Sequence, residues 1–410
     1  MSIVSKVLHN GLQVIAVEAP GLQSVGIAVG VKYGSIDEDP RINGAAHFLE
    51  HMLYKGTKNR TWQDISNEVR SLGAYQNAMT DFETTTFMMQ SFKGDTAKSM
   101  DIISDIIKNS TIPENEFNLE RGPIMNENLM DLDNPMRFVF DFLPRAIYKK
   151  NPARMPVSGD NEKTVKYIKR DDLANIYEKY YTPKNMLLVI YGGLSTTKSL
   201  AIAKRWFSDF DRDYVPKQRE IINEKQVKTR ISEKRPGLKS TLIGIGFKCN
   251  EFNPKKIEEQ ASLEILSEIL SNNLFDEIRE KKGLSYFSTA SYNQYSTFSF
   301  LSAFSNTKPE NKNEVINIML ETFEKIQSGK ISEEELRRAK KGIIVPYMLS
   351  KEKSLSSAVD IANDKLLFDD PFMSKKIMWY INKATLNQIK KYSAKFINTS
   401  AYGLAVIEPK

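Results

Sequence analysis

An α+β fold of two tandem homologous domains, each a mostly antiparallel β-sheet with helices packed on it, is what this 410-residue sequence predicts. Two observations carry that reading. The halves of the chain repeat at one fixed offset, and within each half short alternating apolar stretches are separated by segments of helical periodicity. A chain of this length is also expected to divide into about two domains.

The repeat shows near both ends of each half. Pro20-Gly21-Leu22-Gln23-Ser24 faces Pro236-Gly237-Leu238-Lys239-Ser240, an offset of 216 residues. At the same offset Gly26–Lys32 faces Leu242–Lys248, and Met186–Tyr191 faces Tyr402–Ile407. These matches place the domains at 1–212 and 231–410, joined by a polar, charged linker over 213–230.

Within the first copy, Asn10-Gly11 marks a two-residue hairpin between Ile3–Leu8 and Leu12–Val17. A helix is predicted over Ala45–Tyr54, with Gly56 just past its end. A second follows Thr61, where Asp64 completes a capping pair and Gly73 is the stop. Strands fit Tyr75–Ala78 and Thr84–Gln90. Met100, Ile103, Ile106 and Ile107 then line one face of a helix, and a longer helix begins near Pro113. Two more helical stretches precede the closing strand at Met186–Tyr191. Strand hairpin, helix, strands and then several helices make an antiparallel sheet with helices on it.

Composition narrows the function. Apolar residues make up 41% and aromatics 10%, enough for sizeable cores. The 58 basic and 51 acidic residues leave a net charge of +7, but they are mixed, with no block of five like charges. That pattern describes a solvated surface and argues against nucleic-acid binding. With Cys249 the only cysteine, an intrachain disulfide and a cysteine metal cluster are both excluded. The first residues lack the form of a signal peptide, and no apolar run reaches the roughly twenty residues of a membrane span. A cytoplasmic setting without membrane attachment is the expectation.

The chemistry concentrates in His47-Phe48-Leu49-Glu50-His51, which holds two of only three histidines. Residues i and i+4 share a helix face, so both imidazoles can reach one metal ion. The order is H-x-x-E-H, that of the inverted zinc peptidases. Two neutral imidazoles suit zinc, and Glu50 beside them can take a proton from water held there. The plainer alternative is a buried helix with two hydrogen-bonded histidines. The repeat argues against it. At offset 216, His47, Glu50 and His51 become Leu263, Leu266 and Ser267, so one half is equipped and the other is not. Zinc needs a third ligand. Cys249 lies on a predicted strand of the unequipped half and His9 beside a hairpin turn, which leaves acidic residues of the Pro113–Asp131 helix as better candidates.

The run Ala46-His47-Phe48-Leu49-Glu50-His51-Met52-Leu53-Tyr54-Lys55-Gly56-Thr57, taken with Glu120-Arg121-Gly122-Pro123-Ile124-Met125-Asn126-Glu127, resembles the pitrilysin and mitochondrial-processing-peptidase family of zinc proteases. That family has a glutamate ligand about 76 residues past the second histidine, and Glu127 is 76 past His51. The resemblance implies a processing-peptidase-like fold, zinc (one per chain) on His47, His51 and Glu127, and Glu50 as general base. Glu120 matches an acidic position that assists from behind a ligand. Asn77-Ala78-Met79-Thr80 is similar to the edge strand that takes an extended peptide by strand addition. Leu274–Tyr286 resembles an R-x6-Y element, in which Arg279 and Tyr286 hold the peptide backbone, and Tyr54 matches a position shaping a pocket after the cut. Asp141 agrees with an acidic position that reads arginine in mitochondrial relatives, but Arg137 replaces the other one, so no presequence specificity is carried over.

The resemblance thus implies an endopeptidase acting on short or unfolded peptides. Relatives build a clamshell from four such domains, which implies a homodimer here. The competing expectation is a non-catalytic assembly subunit of the same fold.

Overall fold

The computed structural model describes residues 2–133, 135–214 and 218–410; residues 215–217 of the sequence-predicted linker lie outside them. Strands are β1 (Ser2–Val7), β2 (Gln13–Glu18), β3 (Ser24–Val31), β4 (Tyr75–Thr80), β5 (Thr85–Phe92), β6 (Met186–Gly192), β7 (Thr229–Arg235), β8 (Thr241–Cys249), β9 (Ser288–Gln294), β10 (Ser299–Thr307) and β11 (Gly403–Pro409). The first-half helices are α1 (Ala45–Leu53), α2 (Trp62–Ser71), α3 (Thr96–Asn109), α4 (Glu114–Asp133), α5 (Pro135–Ile147), α6 (Arg170–Tyr180) and α7 (Thr196–Phe207). Those of the second half are α8 (Ile257–Leu274), α9 (Lys312–Gln327), α10 (Glu333–Ser350), α11 (Ser354–Phe368), α12 (Met373–Lys383) and α13 (Leu386–Phe396).

Two sheets form, in the orders β1-β2-β6-β3-β5-β4 and β7-β11-β8-β10-β9. Each contains a single parallel pair, β2 with β6 and β7 with β11; every other pairing is antiparallel. With β1 removed, the two orders correspond strand for strand, so the repeat read in the sequence is a repeat of topology.

The predicted hairpin forms, but its connection is longer than two residues. The last ladder pair is Val7 with Gln13. Leu8 and Leu12 turn inward, 7% and 0% exposed, and the Asn10 amide donates to the carbonyls of Phe207 and Phe210. The Leu8 N–H still donates to the Leu12 carbonyl at 2.8 Å, so the two buried leucines close the hairpin beyond the last regular pair. The Thr61 cap of α2 forms as predicted, with Thr61 and Asp64 bonding reciprocally.

β6 is apolar from Met186 to Tyr191 because both of its faces are covered. In β6, Leu188 and Ile190 join the core beneath α1, α3 and α6, while Leu187, Val189 and Tyr191 face Ala358, Ile361 and Ala362 of α11. Compact unit 1 therefore comprises residues 1–128, 156–218 and 349–372; unit 2 comprises 129–155, 219–348 and 373–410. Each unit takes a helix from the other half of the chain. In unit 1, α11 lies so close to β3 that a Cβ on Gly26 would sit 2.5 Å from the Ser354 carbonyl oxygen. In unit 2, α5 plays the same part, and a Cβ on Gly246 would sit 2.4 Å from Ile147 Cδ1. No helix among the described residues is long and apolar enough to cross a membrane.

Candidate metal centre

Helix α1 starts at Gly44, which has φ 97° and offers no side chain as a cap. Its nine residues are almost all buried, so the helix is held by packing and not by intrinsic propensity. Phe48 stacks on Phe117 of α4 with ring centroids 4.8 Å apart. The Arg121 guanidinium covers both rings and donates to the carbonyls of Val165 and Ile168. This contact sets α4 alongside α1.

The arrangement brings together the three residues named as metal ligands. One donor atom each from His47, His51 and Glu127 lies within 4.8 Å of the others. His47 Nε2 is 3.8 Å from Glu127 Oε1, and His51 Nε2 is 3.4 Å from Glu127 Oε2. A tetrahedral zinc with nitrogen and oxygen ligands about 2.1 Å away separates them by about 3.4 Å. The donor set and spacing fit such an ion.

Glu120 and Glu127 are two turns apart on α4 and grip opposite nitrogens of one ring: Glu120 Oε1 lies 3.0 Å from His51 Nδ1. Carboxylate pairing at Nδ1 fixes the tautomer that leaves Nε2 to ligate. Burial opposes a charged His51, but the hydrogen bonds to Glu120 and then Glu127 outweigh it and push the imidazolium up to about 9. Burial likewise raises Glu120, yet its bonds to His51 and Lys55 win and hold it below the usual carboxylate range.

Glu50 lies on the same face and is 9% exposed. Burial raises its carboxyl above the ordinary value, opposed chiefly by the Thr80 hydroxyl, which donates to Oε2 at 2.5 Å. A buried carboxyl raised in this way beside a candidate metal site is suited to accept a proton. Two contributors were not singled out from the sequence. Lys55 reaches Glu120 Oε2 at 2.5 Å, and Thr80 tethers Glu50. Both lie inside the motif runs quoted above, but their partners are set by the approach of α4 and β4, which spacing does not encode.

β4 is the edge of its sheet. Tyr54 Oη donates to the Asn77 carbonyl at 3.0 Å, and the Ala78 N–H donates to the Asn77 side-chain oxygen at 2.9 Å. Tyr54, Asn77 and Ala78 thus meet at one place along the edge. Arg279 and Tyr286 belong to unit 2. Arg279 sits on a π-helical turn over the Phe275 ring, Tyr286 is 89% exposed, and both line a pocket of about 610 Å³ with Ser285 and Asn306. In the same unit Leu263 and Leu266, where the first copy has His47 and Glu50, are core residues. The cluster includes neither His9, which is exposed, nor Cys249, whose thiol is raised by burial.

Comparison with known proteins points to one family. Residues 13–161 match the family model described as Insulinase (Peptidase family M16), and residues 167–343 match the Peptidase M16 inactive domain. An uncharacterized zinc protease of Bacillus subtilis, YmxG, is 26% identical over 98% of this chain and 97% of its own length. The mouse mitochondrial-processing peptidase subunit beta is 36% identical, over 49% of this chain and 41% of that protein. A crystallised protease of Helicobacter pylori superposes with TM-score 0.90 at 21% identity, covering 100% of this chain and 99% of its own; at that identity the likeness shows the fold alone. Two models of one family cover residues 13–161 and 167–343, and the chain belongs to peptidase family M16, the pitrilysin family.

Proposed function

We propose that the chain is a zinc-dependent endopeptidase that cleaves short or unfolded peptides. The observation that carries this reading is the convergence of His47, His51 and Glu127 beside the buried Glu50. When bound there, a zinc ion supplies a Lewis acid that polarises the scissile carbonyl and acidifies water. The chain's own groups do the rest. An extended peptide adds beside Asn77–Ala78, replacing the internal bonds that now occupy those edge groups. Tyr54 borders the subsite just after the cut. Glu50 removes a proton from the attacking water and passes it to the departing amine, while Thr80 fixes its carboxylate. Arg279 and Tyr286 steady the peptide backbone and the charge growing on the carbonyl oxygen. No covalent intermediate is needed.

Because a clamshell of four such domains requires two chains, the active form is a homodimer, with Arg279 and Tyr286 supplied across it. We place the protein in the cytoplasm, with peptides as its partners and neither nucleic acid nor membrane involved. The non-catalytic alternative is less well supported: His47, Glu50, His51 and Glu127 all lie within residues 13–161, which match the Insulinase (Peptidase family M16) model and not the inactive-domain model. The test is Glu50→Gln. It should keep one zinc per chain by elemental analysis and lose at least about 100-fold in peptide cleavage. Undiminished cleavage by that variant, or a wild-type protein that takes up no metal, would overturn the reading.

A further inference from the structure

The two-histidine helix and the Glu127 helix are joined a second time, away from the ligands. Because Gly44 cannot cap α1, Glu38 does so from six residues upstream: its Oε2 accepts from Gly44 N at 2.8 Å and its Oε1 from Ala46 N at 2.6 Å. Burial pushes the Glu38 carboxyl up to about 8, while these N–H donors and the positive end of the helix favour its charged form. Oε2 takes a third bond, from Asn43 Nδ2 at 3.0 Å, and that same amide donates to the Pro156 carbonyl at 3.0 Å.

The 156–161 segment then leads to α4. Asn128, the neighbour of Glu127 and 6% exposed, donates from Nδ2 to Ser158 O at 3.1 Å and to Asn161 Oδ1 at 2.8 Å. Asn161 in turn donates to the Met125 carbonyl at 2.8 Å. The fit leaves no slack: a Cβ on Gly159 would meet the Asn43 carbonyl oxygen at 2.4 Å. A third tether leaves from the other side. Ser35 and Ile36, just before Glu38, donate their N–H groups to the carbonyls of Asp81 and Phe82, immediately after the edge strand that carries Thr80. None of these side chains is a ligand, yet the chain of bonds spans both ligand-bearing helices.

We propose that Glu38 and Asn128 are positioning residues of the metal centre, which through Asn43 and the 156–161 segment fix the separation between His47 and His51 on one helix and Glu127 on the other. The proposal rests on the metal-binding reading above. A site whose donors are held at their final spacing binds an ion without a reorganisation cost, and outer partners of ligands typically contribute 10–100-fold in affinity.

The experiment uses the full chain, stripped of metal and titrated with Zn²⁺ against a chromophoric chelator. Its variants are Glu38→Gln, Asn128→Leu and the pair together. Glu38→Gln places an amide N–H₂ against backbone donors, and Asn128→Leu removes both bonds to the segment. Each single change should weaken Zn²⁺ about 10–100-fold. The metal-free circular dichroism should be unchanged, and the visible spectrum of bound Co²⁺ should shift as ligand geometry loosens. The double variant should lose little more than the weaker single, because both cut one chain. Affinities within twofold of wild type, fully additive losses, or an unshifted Co²⁺ spectrum would overturn the proposal. If Glu38→Gln does not fold, Asn128→Leu, which leaves the helix cap intact, decides the matter on affinity and spectrum alone. A wild-type chain that binds no metal sinks the metal reading; a loaded wild type with unaffected variants sinks only this inference.

Discussion

Lys55 stands four residues beyond His51, and its ammonium closes a line that runs Lys55–Glu120–His51. Its charge helps keep Glu120 ionised, which in turn holds the ring with Nε2 facing Glu127. Lys55→Met should therefore weaken zinc about 10-fold, and Lys55→Arg should restore most of it, as read by chelator competition. The pH dependence has a definite sign. In the metal-free chain His51 holds its proton to about 9 against an ordinary 6.5. Its stabilising contribution is complete below that ordinary value and is lost as pH rises through about 9. A cation must displace this proton, so zinc affinity should climb with pH up to about 9. Calorimetry in buffers of different ionisation enthalpy should register proton release below that point. A flat affinity from about 6 to 9 would mean that His51 is not a ligand.

At the scale of elements, the informative feature is the exchanged helix. The periodicity of α5 and α11 marks each as a helix but carries no information on which sheet receives it. The receiving sheets do carry a trace, because β3 and β8 place glycine where the helix comes closest. Gly26 meets the Ser354 backbone, whereas Gly30 meets the end of the flexible Leu366 side chain. Gly26→Ala should thus cost about 1–3 kcal/mol of unfolding free energy in a denaturant titration, and Gly30→Ala clearly less. Equal effects would show that α11 does not press on β3 as described. For α3 the sequence reading succeeds because burial follows the 3.6-residue period: Met100, Ile103, Ile106 and Ile107 are all buried. The burial of Leu8 and Leu12 at the hairpin turn is different, since it depends on the core beneath them and not on the spacing of the turn.

At the scale of the whole molecule, the duplicated topology has diverged in role. One unit gathers the candidate ligands His47, His51 and Glu127, while the other fills the positions matching His47 and Glu50 with Leu263 and Leu266 and presents Arg279 and Tyr286 at a pocket. If the active form is a dimer sharing residues between chains, two dead variants should rescue each other. Glu50→Gln mixed equally with Arg279→Ala, after dissociation and reassembly, should recover about a quarter of wild-type cleavage, because half the dimers are mixed and each holds one intact site. No recovery, although both chains re-form dimers, would show that Arg279 does not act across the interface.

By itself the sequence determined the duplication, the fold class, the two-histidine helix and, through the motif resemblance, the glutamates on α4. Each of these is written in local spacing, which backbone geometry converts directly into shared faces and matched strands. Only the tertiary structure decided that Lys55 holds Glu120, that Thr80 tethers Glu50, that Glu38 caps the histidine helix, and that each unit is completed by a helix from the other half. Those relations join residues distant along the chain, or side chains whose partners depend on how two elements approach, and no periodicity specifies that approach.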